Sequence, residues 1–531
     1  MSVEAGSDST RGSQTKMGIS PAVFGIPWLL LATIAVVALV SGEVFLRGLN
    51  LSTSFILGNF AWLFNWTALA CLIVVIFAYF SPFGRLRIGG SRARAKISFR
   101  SLIWIVLCTM IAAGLLFWAA AEPIYHLSTP ALSSRAVPGS PEAILFAMRT
   151  MFLEWTWAPF AIYTAFSLIC AYVFFNLGER ISVGSILVPL FGPNVQRVSR
   201  IVDIVCLFSL GAGMAASLGT GTITIAGGIS SQFDIPSSPL LWGIIIFLIV
   251  LIFVFSSITG VMKGIRLLSS FNSKIFFGIL VFFALFGPTV YSLSIGTERF
   301  GSYLSNFFFD ILNTGTAFED GWNQSWPVFY WCNWLAWTPV TATFIASISR
   351  GFTMRQLISA GLIVPSVFSM LWITLVSGAS IYYETQGVDI SGYMAANGPE
   401  SAIYIIFQQL PFSRVVIPIY LFIVFISLVT ASDSNTTAVA EISTRGTSLM
   451  EDKKNMPALF VKIIWGVTIG LVAWLVISYG GVEGIKAASN LGGFPSMFLV
   501  ILGLISLVVV MSRIGGRSSK NLETVDPAGF W

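Results

Sequence analysis

Residues 239–260 read PLLWGIIIFLIVLIFVFSSITG, without one charged side chain. Coiled as a helix, such a run spans the ~30 Å hydrocarbon layer of a bilayer. It lacks the strict alternation of a membrane barrel strand, so a helix is the only spanning form open to it. Working outward in both directions, the same kind of run recurs at 22–46, 55–80, 101–121, 155–176, 200–228, 268–294, 326–349, 357–383, 413–440, 458–479 and 490–512, giving twelve expected spans. Composition agrees: of 531 residues, 56% are apolar and 10% charged, where soluble proteins carry about 25% charged residues. Mean hydropathy is +0.85. Disordered, collagenous and disulfide-framework classes are excluded. The chain reads as an all-α polytopic membrane protein.

The loops set its orientation. Arg85, Arg87, Arg92, Arg94, Lys96 and Arg100 follow span 2; Arg180, Arg197 and Arg200 follow span 4; Lys263 and Arg266 follow span 6. Arg350 and Arg355, then Arg445, Lys453 and Lys454, then Arg513, Arg517 and Lys520 follow spans 8, 10 and 12. Odd-numbered exits are poor in bases. Basic loops stay cytoplasmic, so both termini are expected there, in a multi-pass plasma-membrane protein. The net charge of +6 therefore reports orientation and lipid contact, and no nucleic-acid partner is expected. The polar tail 1–19 reads as a retained cytoplasmic tail, because no small-residue cleavage site follows the first apolar run.

Chemistry by metal or nucleophile has little to draw on. The five cysteines, at 71, 108, 170, 206 and 332, lie singly in apolar runs, and His126 is the one histidine. No enzyme, metal site or organic cofactor is expected. Two amphipathic pieces outside the spans, Ser302–Leu312 with Tyr303, Phe307, Phe308 and Leu312 on one stripe and Glu400–Gln409, read as interfacial helices packed on the outer side. Spans 3 and 8 each open a block of five. An odd block length makes the second copy enter from the opposite side, which is the arithmetic of an inverted repeat.

Four stretches are candidates for binding. Span 5 carries Gly211, Gly213, Gly219, Gly221, Gly227 and Gly228 among Ser217, Thr220, Thr222 and Thr224; this fits either close helix packing or a helix unwound at a ligand. Residues 326–344, WPVFYWCNWLAWTPVTATF, place Trp331, Trp334 and Trp337 at steps of three, expected on one helical face. Stacked electron-rich rings can surround a cation that donates no hydrogen bond, at ~0.5–2 kcal/mol per face. Span 4 opens EWTWAPFAIY, with Pro159 at a kink between Trp155 and Tyr163 and with Glu154 as a rare acid at the span edge. Span 10 holds SLVTASDSNTT, residues 427–437, whose oxygens suit a hard cation, although Asp433 also fits a helix cap. Glu122-Pro123 reads as the structural outer end of span 3.

Together these stretches resemble the betaine/choline/carnitine transporter (BCCT) family. The run FYWCNWLAWTP, Phe329 to Pro339, followed by FIASISRG, is similar to the family's W-T-x-x-Y-W-x-W-W-x-x-W-x-P, with Pro327 and Asn333 as departures. The LFW and AEPI of span 3, EWTWAPFAIY, SLGTG, GVMKGIRLLS and TASDS follow in family order across about residues 20–515. The resemblance implies 12 transmembrane helices: two inverted five-helix repeats of LeuT-like type after two extra N-terminal helices. Its segments would be a cytoplasmic tail (1–19), the two extra helices with their basic loop (20–100), the first repeat (101–295), a periplasmic amphipathic helix (296–325), the second repeat (326–513) and a short cytoplasmic tail (514–531).

The resemblance further implies a homotrimer that carries quaternary ammonium or similar onium osmolytes or nutrients by alternating access. Carried over by position, the substrate box comprises Trp155, Phe160, Tyr163, Trp331, Trp334 and Trp337. Met110 opens a segment where many members have G-M-G-x-G and this chain keeps only Gly114; it is carried over to both the substrate wall and the ion site. Sodium is the implied coupling ion, near Thr430, Ser427 and Met110, with Ala431 in place of a family serine and Asn272 where exchangers hold an arginine. Phe344 and Glu154 fall on the path or gates. The alternatives are a non-quaternary solute on the same fold (an amino acid, sulfonate or sulfonium compound) or substrate–product exchange without sodium.

Overall fold

The computed structural model describes residues 19–110, 113–192, 195–259, 262–444 and 456–515. Both tails, Ile111 and Ala112, the side chains of Lys263, Arg266 and Asn272, and the bases Arg445, Lys453 and Lys454 lie outside the described residues. Among those described there is no strand, only two isolated bridges.

The long helices in chain order are α1 (Pro21–Val40), α2 (Gly42–Phe80), α3 (Phe99–Met110), α4 (Ala113–Ser128), α5 (Pro141–Trp155), α6 (Trp157–Phe175) and α7 (Gln196–Phe233). There follow α8 (Pro239–Thr259), α9 (Met262–Phe286), α10 (Thr289–Leu312), α11 (Phe329–Ile348), α12 (Val364–Tyr383), α13 (Ser413–Ser443) and α14 (Met456–Gly515). Among the described residues, seven helical segments are long and apolar enough to cross a membrane, or up to nine if each of two bent pairs is one span. The bent pairs are α3 with α4, at 54°, and α9 with α10, at 104°.

Several expected boundaries move. Span 4 does not begin at 155: α5 starts at Pro141 behind the Ser140 cap, and α5 and α6 together form one 35-residue candidate span interrupted at Thr156. Glu142, Arg149 and Glu154 hid its first half from the apolar pattern. The two last expected spans join in α14, which is 60 residues long and broken at Gly481, whose φ of 54° and ψ of −136° are not helical. Span 5 stays helical throughout, so its glycines serve packing. A β-carbon at Gly211 would lie 2.5 Å from Leu31, at Gly219 2.7 Å from Ile477, and at Gly221 2.5 Å from Leu428. Thr220 and Thr224 donate back to carbonyls of their own helix, at 3.0 and 2.8 Å.

The amphipathic pieces also change. The first belongs to the longer α10, which buries Tyr303, Phe307 and Ile311 against the bundle and leaves Phe308 exposed. Trp157 meets Tyr303 and Phe307 at ring distances of 4.9 and 5.7 Å. The second is the short helix Ala402–Gln408, mostly buried, with the Tyr404 hydroxyl donating to the Thr224 carbonyl at 2.6 Å. It is a wedge within the bundle and not a surface helix.

One end of the bundle is tied together by loops. Arg87 Nη1 donates to the Gly351 carbonyl at 2.7 Å, and Arg355 Nε to the Tyr79 carbonyl at 2.9 Å. Asn176, after α6, accepts from the Gly89 amide at 3.1 Å and donates to the Arg87 carbonyl at 3.1 Å. Gly351 has a φ of +90°, and a β-carbon there would sit 2.2 Å from the Ala95 nitrogen, so glycine is required on both counts. Ser20 N donates to Ser443 O at 2.8 Å, which joins the start of α1 to the end of α13.

Candidate substrate site

The site is built at helix interruptions. Thr156 has φ −125° and ψ −105° between α5 and α6, and its hydroxyl donates to the Phe152 carbonyl at 2.6 Å. Pro159 stands in the first turn of α6, where a missing N–H costs nothing. The break lets Trp155, at the end of one helix, and Phe160 and Tyr163, in the first turns of the next, converge. α11 enters from a π-helical turn, Gln324–Val328, that contains Pro327.

Trp334 is the centre of that convergence. Its ring centroid lies 5.8 Å from Trp155, 5.5 Å from Phe160 and 5.2 Å from Tyr163, with interplanar angles of 78°, 69° and 70°. These are edge-to-face contacts, the favoured arrangement for aromatic pairs. All four rings are buried. The Trp334 Nε1 is buried and has no hydrogen-bond partner among the described residues. Gly114, the one surviving glycine of its segment, abuts this wall: a β-carbon there would sit 3.4 Å from Trp155.

The other expected members are placed elsewhere. Trp331 is fully buried, and its Nε1 donates to Asn65 Oδ1 on α2 at 3.0 Å. Trp337 is half-buried and faces Gly213 of α7, where an added β-carbon would lie 3.3 Å from its Nε1. The expectation of one shared face is corrected here. Each step of three falls about 60° short of a full turn, so the three rings fan toward α2, α6 and α7. Met110 is buried beside Gly361 and Thr164, its Cε 3.6 Å from where a Gly361 β-carbon would be. Thr430 Oγ1 donates to the carbonyls of Ile426 and Ser427 at 2.8 and 3.1 Å. Phe344, partly exposed, lies ten residues beyond Trp334 along α11. Asp433 is an ion-pair partner and not a helix cap: Lys462 Nζ lies 2.7 Å from its Oδ1.

Glu154 is not at a watery edge. It is fully buried beside Glu122 and His126, and the ligand atoms of the three lie within 4.8 Å of one another. Glu122 is no mere helix end. Its Oε2 accepts from Trp155 Nε1 at 2.9 Å and from the Tyr330 hydroxyl, and its Oε1 lies 3.3 Å from His126 Nε2. Trp155 therefore has one edge on an acid and its ring in the aromatic box. Sequence reasoning passed over Glu122, His126 and Tyr330. The available signal was the spacing of four between the lone histidine and an acid on one helix.

Long apolar helices packed into a bundle around an aromatic centre between broken helices define a multi-pass membrane protein. The family model described as BCCT, betaine/carnitine/choline family transporter, matches residues 22–515, and the chain belongs to that family. It is 31% identical over 508 residues to a protein named glycine betaine transporter 1 of Vibrio parahaemolyticus, covering 92% of this chain and 93% of that one. It is 29% identical over 467 residues to an ectoine/hydroxyectoine transporter of Virgibacillus pantothenticus, covering 88% and 91%. An osmo-independent choline transporter of Acinetobacter baylyi is 26% identical over 479 residues, covering 88% and 89%.

Proposed function

We propose that this protein is a secondary active transporter of betaine-type osmolytes or nutrients, working by alternating access in the bacterial inner membrane. Family membership supports the class, and the printed names of the relatives support the solutes. The observation that carries the reading to a site is Trp334, ringed by Trp155, Phe160 and Tyr163 with its own N–H unpartnered. Ring faces suit an onium group, and the free N–H suits the acceptor that a carboxylated or hydroxylated onium compound carries at its other end.

Twelve spans in two inverted blocks fit the helices. The break at Gly481 divides α14 into two arms, and the 20-residue α11 owes its modest hydropathy to the tryptophans and threonines it turns inward. The loop contacts joining the exits of spans 2, 4 and 8 are what a cytoplasmic face at every even exit requires. We further assign sodium as a coupling ion at the Thr430 and Ser427 turn, with Met110 as the third member that the family resemblance implies, and a homotrimer as the assembly.

Uptake of labelled glycine betaine into proteoliposomes, with and without an inward sodium gradient and against unlabelled choline and ectoine, tests this. Uptake is expected to need the gradient and to be blocked by the competitors. Trp334→Ala, purified with its native elution profile, is expected to lose solute binding. Normal binding in that variant would remove the box, and uptake driven equally by internal solute alone would make the protein an exchanger.

A further inference from the structure

The buried cluster on the other side of Trp155 carries more charge than its surroundings balance. Glu122 already accepts three donors, Trp155 Nε1, the Tyr330 hydroxyl and His126 Nε2, which leaves one of the roughly four acceptor positions of a carboxylate open. This assigns the His126 proton to Nε2, as donor to Glu122. Glu154, fully buried, has no hydrogen-bond partner at either carboxyl oxygen, and its Oε2 lies 3.9 Å from His126 Nε2. Two carboxylates this close and this deep do not both ionise without a compensating cation.

The charged and titratable neighbours on every packed element are few. From α14, Lys486 Nζ sits 4.1 Å above the Trp326 ring and 3.3 Å from the exposed Glu483, and its charge reaches both Glu154 and His126. From α11 comes Tyr330, already donating to Glu122. On α4, the Tyr125 ring packs 5.5 Å from the Trp326 ring. On α5, Arg149 is committed to Asp310 at 3.1 Å. One lysine, shared with Glu483, stands against two buried acids.

We propose that Glu154 and Glu122 share one proton, with His126 as the third member of the site, and that solute binding releases it. The donor missing at Glu154 is then its own O–H, directed at Glu122. Release leaves both carboxylates ionised and the proton in the outer solution; no other bond changes. Trp155 links the two sites, because its N–H holds Glu122 while its ring lines the box. An onium charge against that ring and a proton beyond it repel one another, so each weakens the binding of the other by the same factor. A divalent metal is the poorer occupant: it would displace the three donors on Glu122 and add charge beside Lys486.

The proposal rests on the aromatic box as the solute site, and the experiment separates the two. Glycine betaine is titrated calorimetrically into the purified protein at fixed sodium, in two buffers of different ionisation heat, between about pH 5 and about pH 9. Expected are buffer-dependent heats that report proton release, and an affinity about tenfold weaker at the acid end, within the ~5–150-fold range usual for coupled sites. Glu154→Gln, uncharged like the protonated acid, is expected to hold the weak acid-side affinity at every pH. Equal heats in both buffers with a flat affinity would overturn the proposal and leave the transport reading intact.

If no betaine, choline or ectoine binds, the transport reading fails instead, and an infrared spectrum of the unliganded protein decides the proton. A protonated-carboxyl band present in the native chain and missing in Glu154→Gln supports sharing; absence of that band from the native chain refutes it. Tight zinc binding lost in His126→Gln would also refute it, in favour of a metal site.

Discussion

Two buried acid sites in this bundle are built on opposite plans. At Asp433, one carboxylate meets one base: Lys462 Nζ is 2.7 Å from Asp433 Oδ1 and 2.7 Å from Thr437 Oγ1. At Glu122, Glu154 and His126, two carboxylates share a histidine, and one of the acids lacks any hydrogen-bond partner. A matched pair is complete in a single state, so it holds α13 against α14. Two carboxylates with one proton between them can keep it or lose it, so the cluster can exist in two states, and a two-state element is what coupling needs. The locations agree: the Asp433 pair lies between α13 and α14, whereas the Glu122 cluster shares Trp155 with the box.

Lys462→Met should break the comparison hardest. It strands a buried carboxylate, a loss of about 3–5 kcal/mol, read as a lower Tm in detergent, while adding Asp433→Leu should restore most of it. If the double variant is no better than the single, the pair is not a plain structural tie. Tyr330→Phe removes one donor from Glu122 with no change of shape. A hydrogen bond to a charged group contributes about 1.5–3 kcal/mol, so both Tm and solute affinity should fall; a change in Tm alone would disconnect the cluster from the box.

Glu400 gives the smallest effect and a control outside the spans. Burial pushes its carboxyl up to about 7, against the hydrogen bonds from its own backbone and from Ser237. The fold prefers the protonated acid, so the stability contributed by Glu400 is complete at low pH and is lost as pH rises through about 7. Glu400→Gln should therefore raise Tm above neutral pH and leave it unchanged in acid. A pH-independent difference would place the Glu400 effect in packing.

Every one of the twelve apolar runs lies largely in helix, because hydrocarbon demands both length and apolarity, and both are written in the residue order. The ends were less legible. α5 carries exposed Glu142 in its first turn, half-buried Arg149 paired with Asp310, and buried Glu154, and charges spaced in that way look in sequence like a loop. The aromatic box was half legible. Trp155, Phe160, Tyr163 and Trp334 do converge, but Trp331 and Trp337 turn away, since a spacing of three only approximates the helical repeat. The Glu122 cluster was nearly invisible. Glu154 lies 28 residues beyond His126 on a separate helix, and only the fold brings them together. The glycines of α7 suggested an unwound helix; whether such a row opens a helix or seats its neighbours depends on partners such as Leu31 and Ile477, which sequence does not disclose.

The contact between Arg87 and Gly351 has a meaning for biosynthesis. Its two residues are separated by 264 positions. At about 5–20 residues per second of synthesis, the loop after α2 waits on the order of tens of seconds before its partner leaves the ribosome. Through that interval six bases between Arg85 and Arg100 are unpaired with the later half of the chain and free to hold the lipid headgroups. The nascent chain can thus hold the membrane early and fasten this end of the bundle late, and a substitution at Gly351, however mild for insertion, would be felt only at that final step.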